Sequence, residues 1–287
     1  MTFIAYSKSI LRTLMAYGAV LLVSLRWRLR HIGPKAKPHG LESPLVVSLT
    51  SYPPRFRTLL PTLKSLLLQS VAADHVELWI AQADYGRLPR AVLALQSSGL
   101  AIRTCADLRS YKKIIPALAA HPDAVIVTAD DDAYYWKGWL EGLTSAYRPE
   151  RNEVLCHRAH EIVLEGDRPA SYPTWRFETA STEPSRMIFP TGLGGVLYRP
   201  GILMADFARQ DLFGKYCPTA DDVWLFWMAS LKGALFRKVG PVRRFILWPE
   251  ARSTALYNHN VVGANANDVQ IAAMIEAYGF PVGREKI

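Results

Sequence analysis

The chain alternates short apolar runs with segments of helical period. Leu45-Val46-Val47-Ser48-Leu49 is bounded by the turn signal Ser51-Tyr52-Pro53-Pro54 and reads as a buried strand. A helix-period segment over Leu59–Gln69 follows, then strand Val76–Ala81, a helix over 89–97, strand Ala101–Thr104, helix Lys113–Ala120 and strand Ala124–Thr128. Strands alternating with short helices predict right-handed βαβ units, an α/β fold built on a mostly parallel, Rossmann-like sheet flanked by helices. Ligands of such sheets bind outside the carboxyl ends of the strands, which selects the polar loops 50–55, 82–85, 107–113 and 130–132. The second half is less regular: Val154–His157 and Gly195–Tyr198 read as strands, Asp221–Leu231 and Val269–Tyr278 as helices. No second linker interrupts it, so one continuous domain over 45–287 is expected.

Ahead of that domain lie an N-terminal arm, 1–30, and a linker, 31–44, whose sequence HIGPKAKPHGLESP is rich in Pro and Gly. Charge changes the picture here. Of a net +9, seven basic residues and no acidic one fall before residue 42 (Lys8, Arg12, Arg26, Arg28, Arg30, Lys35, Lys37), leaving 9 − 7 = +2 for the rest. A nearly neutral globular part excludes a nucleic-acid-binding face. The uncharged run Thr13–Leu25 is shorter than the roughly 20 residues a bilayer span needs. Followed by Arg26-Trp27-Arg28, it suits a helix lying in an anionic membrane surface with Trp27 at headgroup level. A helix docked on the protein is the competing reading, and a signal peptide lacks its small-residue cleavage site. Cys105, Cys156 and Cys217 are far apart and odd in number, which fits a reducing compartment and excludes a disulfide framework. The expected location is therefore the cytoplasmic face of the membrane, held peripherally.

The densest chemistry follows the strand Val125–Thr128, which runs through Ala129 into Asp130-Asp131-Asp132. Three adjacent acids repel one another in a dry site and call for positive charge. In extended or turn geometry Asp130 and Asp132 project to one side, offering two hard oxygen ligands for Mn²⁺ or Mg²⁺ while phosphate oxygens complete the shell. A second acidic pair, Asp221-Asp222, opens a helix about ninety residues later. It suits either a helix N-terminus, where acids are stabilised by about 0.3–1 kcal/mol, or a general base.

Asp130-x-Asp132 after a strand, preceded by Val46-Val47-Ser48-Leu49-Thr50-Ser51-Tyr52, resembles the GT-A fold of nucleotide-sugar glycosyltransferases, near family 2 and the bacterial surface-polysaccharide enzymes, over about residues 45–275. The resemblance implies a nucleotide diphosphate sugar donor, a UDP-sugar foremost, and a glycan or lipid-linked acceptor, with inversion at the anomeric carbon. Carried over by position, Thr50, Ser51, Tyr52 and Arg55 would line the nucleoside pocket, and Asp84 would accept a hydrogen bond from the base. Lys112 or Lys113 would lie beside the diphosphate, and Asp131 would touch ribose or sugar. Asp132 would be the principal metal ligand with Asp130, and His259 a further one. The family's base is the second member of a Glu-Asp pair; this chain has Asp-Asp, so Asp222 is expected and Asp221 stays open.

Between the acidic motifs, Gly192-Leu193-Gly194-Gly195 allows close backbone approach, and Gly194 and Gly195 would shape the donor-sugar pocket or form a plain turn. The tryptophans suit sugar rings, yet Trp224 and Trp227 at helical spacing suit the core. Two other classes compete. A haloacid-dehalogenase-type phosphatase fails on the position of its acids and a nucleotidyltransferase on its missing Gly-rich first loop, while a membrane-tethered binding module would have no use for Asp221 and Asp222.

Overall fold

The computed structural model describes residues 3–248 and 265–282, with side chains from residue 11 onward; His259 lies outside the described residues. Seven strands form the central sheet: β1 Leu45–Thr50, β2 His75–Ala81, β3 Leu100–Cys105, β4 Val125–Ala129, β5 Glu153–Cys156, β6 Val196–Tyr198 and β7 Leu235–Lys238. Their order is β7-β5-β6-β4-β1-β2-β3. β1 pairs in parallel with β2 and β4, β2 with β3, and β5 with β7, whereas β6 runs antiparallel to both β4 and β5. The sheet is thus mostly parallel, as the strand and helix alternation requires.

β1 is buried up to Thr50 and mainly apolar because both of its faces are covered. Leu45, Val47 and Leu49 join one core with Leu59, Leu63, Val125 and Val127, while Val46 joins Ile126, Trp79 and Ala117 on the other side. The helices are α1 Phe3–Arg28, α2 Phe56–Leu67, α3 Arg90–Leu93, α4 Ile115–Ala120, α5 Trp139–Ala146, α6 Gln210–Tyr216, α7 Asp221–Leu231 and α8 Ala266–Tyr278. Two differ from the periodicity. The stretch expected as one helix over 89–97 is α3 followed by a 3₁₀ turn, Ala94–Ser98, and Lys113 ends a 3₁₀ turn, Arg109–Lys113, before α4 begins. Pro116 near the start of α4 suits a fresh helix start at that point. Trp224 and Trp227 are core residues, packed with Phe189, Phe236, Ile271 and Met274 in the second half.

α2 shows how one helix serves both packing and site. Leu59, Leu63 and Leu66 fall on its apolar stripe. Thr58, Thr62 and Ser65, also buried and spaced four and three apart, form a hydroxyl seam beside it. That seam meets the backbone of residues 131–135.

The N-terminal arm is a 26-residue helix, longer than the uncharged run alone indicates. Ala16, Ala19 and Val23 are buried, with Ala19 and Val23 against Trp248. Trp27 turns to the protein, where Arg30 and Lys64 lie over its ring at 4.3 and 5.7 Å. On the opposite side Leu14, Leu21, Leu25, Leu29 and Ile32 are exposed, Leu21 at 72% and Ile32 at 83%. Among the described residues, no helix is long and apolar enough to cross a membrane. The linker is also tied down: Lys37–Pro38 pair in parallel with Val71–Ala72, and Asp74 holds both His39 Nε2, at 3.0 Å, and the Leu45 N–H, at 2.7 Å.

Gly195 opens β6 at φ +89°, where an added Cβ would lie 2.6 Å from Trp139 Cζ2 and 2.9 Å from Thr128 O. Gly195→Ala is expected to cost about 2–4 kcal/mol through backbone strain plus overpacking, read as a lower urea midpoint at unchanged slope. Gly201→Ala, at φ +68° with nothing near its Cβ, should show the strain alone.

Candidate active site

Three loops at the carboxyl ends of parallel strands, those after β1, β3 and β4, converge with the loop before β6 and the start of α7. β4 delivers Asp130, Asp131 and Asp132; β1 delivers Ser51 and, through the 3₁₀ turn Pro53–Arg55, Arg55. Ser51 Oγ donates to Asp131 Oδ2 at 2.6 Å, and Arg55 Nη1 donates to Asp131 Oδ1 at 2.8 Å. The same guanidinium lies 3.1 Å from Asp132 Oδ2. Asp131 therefore spends both oxygens on Ser51 and Arg55 and acts as the inner brace of the loop. Burial would lower the Arg55 pKa, but Asp131 and Asp132 outweigh it and raise it further.

The structure separates the two neighbouring lysines. Lys112 pairs with Asp107. Lys113 is buried, with its Nζ 3.1 Å from Asp130 Oδ1 and 2.9 Å from Asp221 Oδ2. Burial alone would strip its charge; Asp130, Asp221 and Asp222 instead hold the pKa well above the ordinary lysine value. One ammonium thus joins the acid loop of β4 to the acidic start of α7.

Gly192 completes this junction. Its N–H donates to Asp222 Oδ2 at 3.0 Å. A Cβ there would lie 2.9 Å from Lys113 Nζ, 3.1 Å from Asp222 Oδ1 and 3.6 Å from Asp130 Oδ1. Gly194 and Gly195 face apolar rings instead: a Cβ on Gly194 would strike Phe245, and one on Gly195 would strike Trp139. Asp222 keeps one edge open to solvent. Its carboxyl is nonetheless pushed up to about 7, by burial and then by Asp221. Asp132, also pushed up to about 7, owes this chiefly to burial, against the opposing pull of Arg55.

The remaining sequence candidates sit at the rim. Thr50 Oγ1 donates to Trp79 O at 2.8 Å and stitches β1 to β2. Tyr52 is exposed, its ring 6.0 Å from the Arg55 guanidinium carbon. Asp84 faces Arg87 at 3.7 Å.

Sequence reasoning missed the support beneath the acids. Thr62 Oγ1 donates toward Asp131 O at 3.0 Å, Trp248 Nε1 donates to Thr62 Oγ1 at 2.7 Å, and the Trp248 N–H donates to Asp132 O at 3.0 Å. The Tyr135 hydroxyl accepts the Asp130 N–H at 2.6 Å. The helical spacing of Thr58, Thr62 and Ser65 was the available signal for half of this; nothing local marks Trp248.

The donor set bears on a cation. Five carboxyls (Asp130, Asp131, Asp132, Asp221, Asp222) face two cations (Arg55, Lys113), an excess of 5 − 2 = 3. Among the described residues no three His, Cys, Asp or Glu side chains form a ready cage for a metal ion. Mg²⁺ and similar hard ions are commonly held by one or two carboxylates plus substrate phosphates, and Asp130 with Asp132 fits that class.

No family model matches the chain, and no curated protein matches it. Among solved structures it is similar to the inositol-1-phosphate CTP transferase from T. maritima, at 10% identity and a TM-score of 0.42 over 82% of this chain and 97% of that one. It is also similar to S. aureus TarS 1–349, at 14% identity and a TM-score of 0.47 over 82% of this chain and 72% of that one. At such identities function rests on the geometry of the acids.

Carboxyls whose folded pKa lies above the ordinary value take up protons on folding, so their stabilising share is present at low pH and lost as pH rises through about 7. In chelator, the protein is therefore expected to melt higher at pH 6 than at pH 8. Lys113→Met removes the buried partner of two acids and should cost about 3–5 kcal/mol at pH 8, and less at pH 6, by denaturant titration.

Proposed function

We propose that the chain is a metal-dependent, inverting glycosyltransferase that moves a sugar from a nucleotide diphosphate donor, a UDP-sugar foremost, to a glycan or lipid-linked acceptor in surface polysaccharide or lipopolysaccharide synthesis. The observation that carries this is the meeting of two acidic motifs, ninety residues apart, around Lys113 and Gly192. One motif offers oxygens for a cation and a diphosphate; the other offers a carboxyl poised to take a proton. A transfer reaction needs both within one site.

Asp222 suits the base better than Asp221. Asp221 is engaged by Lys113 at 2.9 Å, whereas Asp222 is held by a single backbone N–H and has a pKa near 7, close to the value at which a base works best. As the acceptor hydroxyl attacks the anomeric carbon, its proton passes to Asp222. The bond from that carbon to the diphosphate oxygen breaks on the far side, and the electron pair leaves with the diphosphate. Lys113 and Arg55 lie where they can meet phosphate charge. A Mn²⁺ or Mg²⁺ ion on Asp130 and Asp132 would supply further neutralisation of the departing group. Tyr52, exposed at the rim, offers a face for the base, and Asp84 an acceptor for its N–H.

We assign the arm to the membrane surface. The exposed leucine stripe of α1, opposite its docked face, and the seven basic residues before residue 42 support this reading, in which the protein is a peripheral enzyme on the anionic cytoplasmic face of a membrane.

Two measurements test the reading. UDP with Mn²⁺ should raise the melting temperature, and Asp130→Asn/Asp132→Asn should weaken Mn²⁺-dependent UDP binding by at least about tenfold; unchanged affinity would sink the proposal. Donor turnover should rise with pH to a plateau above about 7, and Asp222→Asn should lower it by about 10²–10⁴ while UDP affinity stays.

A further inference from the structure

Beside the acids, α1 and the segment 241–247 enclose a cavity of about 530 Å³, within the range of ligand pockets. Its charge is one-sided. Arg12 enters from α1 and Arg243 and Arg244 from the segment after β7, while the single acid among the lining residues, Glu178, is paired with Arg158 at 3.1 Å. Among the described residues no carboxylate lies within ion-pair distance of Arg12, Arg243 or Arg244. The guanidinium of Arg243 stacks over Trp136 at 4.8 Å, which orients it without cancelling its charge. The remaining wall is apolar, with Met15, Leu193 and Phe245 prominent.

A second cavity, of about 580 Å³, makes the contrast. There Arg151 and Arg237 both meet Glu153, Lys238 donates to Gly240 O, and Arg243, stacked on Trp136, is shared between the two cavities. The α1 cavity adds Arg12 and Arg244, which have no carboxylate partner among the described residues, to a wall of apolar side chains. That combination selects an amphiphile with an anionic head, and guanidinium groups match phosphate oxygens in geometry and charge.

Position supplies the role. Leu193 lines the cavity, and its neighbour Gly192 touches Asp222 and Lys113; Phe245 lies over Gly194 in the same loop. The other wall is α1, whose outer face carries the exposed Leu14, Leu21 and Leu25. We propose that this cavity receives the phosphate head of a membrane-embedded acceptor, a phosphate ester of a long apolar chain, and presents its sugar end or hydroxyl to Asp222. The word acceptor rests on the glycosyltransferase reading; the phosphate-amphiphile site does not.

The test uses the full chain in EDTA, so that cation-dependent binding at the carboxylates is silent, with farnesyl phosphate, farnesol and inorganic phosphate as probes in isothermal titration. Farnesyl phosphate should bind at least about tenfold tighter than either of the other two, and Arg243→Gln/Arg244→Gln should remove that advantage while Mn²⁺-dependent UDP binding stays at the wild-type value. Arg12→Gln, at a solvent-accessible position on the cavity side of α1, provides a second variant if the double one fails to fold, with an expected loss of about three- to tenfold. Equal binding of inorganic phosphate, equal binding of farnesol, or wild-type affinity in folded variants would each overturn the proposal. Loss of UDP binding with farnesyl phosphate binding intact would instead remove the transferase reading and leave the cavity's ligand standing.

Discussion

The site depends on one buried ammonium. Lys113 sits between Asp130 and Asp221, and the lysine stays charged only because carboxylates surround it. Each partner justifies the other: an isolated ion in that place would cost several kcal/mol in lost hydration. The pairing ties the end of β4 to the start of α7, so the two halves of the domain are registered against each other at the point where chemistry is proposed. Arg55 does a smaller version of the same work, pinning Asp131 and Asp132 to the loop after β1.

Those two cations leave the acids under-compensated. Burial pushes up the carboxyl of Asp131, even though Ser51 and Arg55 engage it, as it does those of Asp132 and Asp222. Of these three, Asp132 is a candidate metal ligand and Asp222 a candidate base. Arriving positive charge would relieve the first, and a departing hydroxyl proton is what the second is ready to take. Neighbouring acids thereby gain different tasks from different surroundings.

The sheet was largely legible in the sequence because β1, β2 and β4 are almost wholly buried and read as mainly apolar runs with polar loops after them, and the edge strand β3 keeps a short apolar start. α7 was legible for a related reason, since Asp221 marks its start and its core face is continuous. What could not be read came from contacts between distant segments. Nothing in the run Arg109–Lys113 separates Lys112 from Lys113; the short 3₁₀ turn buries both but sends one to Asp107 and the other to Asp130 and Asp221. Gly192 looked like its neighbours Gly194 and Gly195, yet only Gly192 borders charged groups. β7 and α5 were missed because their patterns are brief and mixed, and the antiparallel course of β6 depends on how the second half folds back.

Trp248 carries a consequence of its own. Its ring rests on Ala19 and Val23 near the beginning of the chain, its indole N–H reaches Thr62, and its backbone holds Asp132. The helix near the beginning of the chain and the segment after β7 thus lock beneath the same short loop. Proteolytic clipping of the leading helix would strike the carboxylates from below, although no residue in that helix touches them.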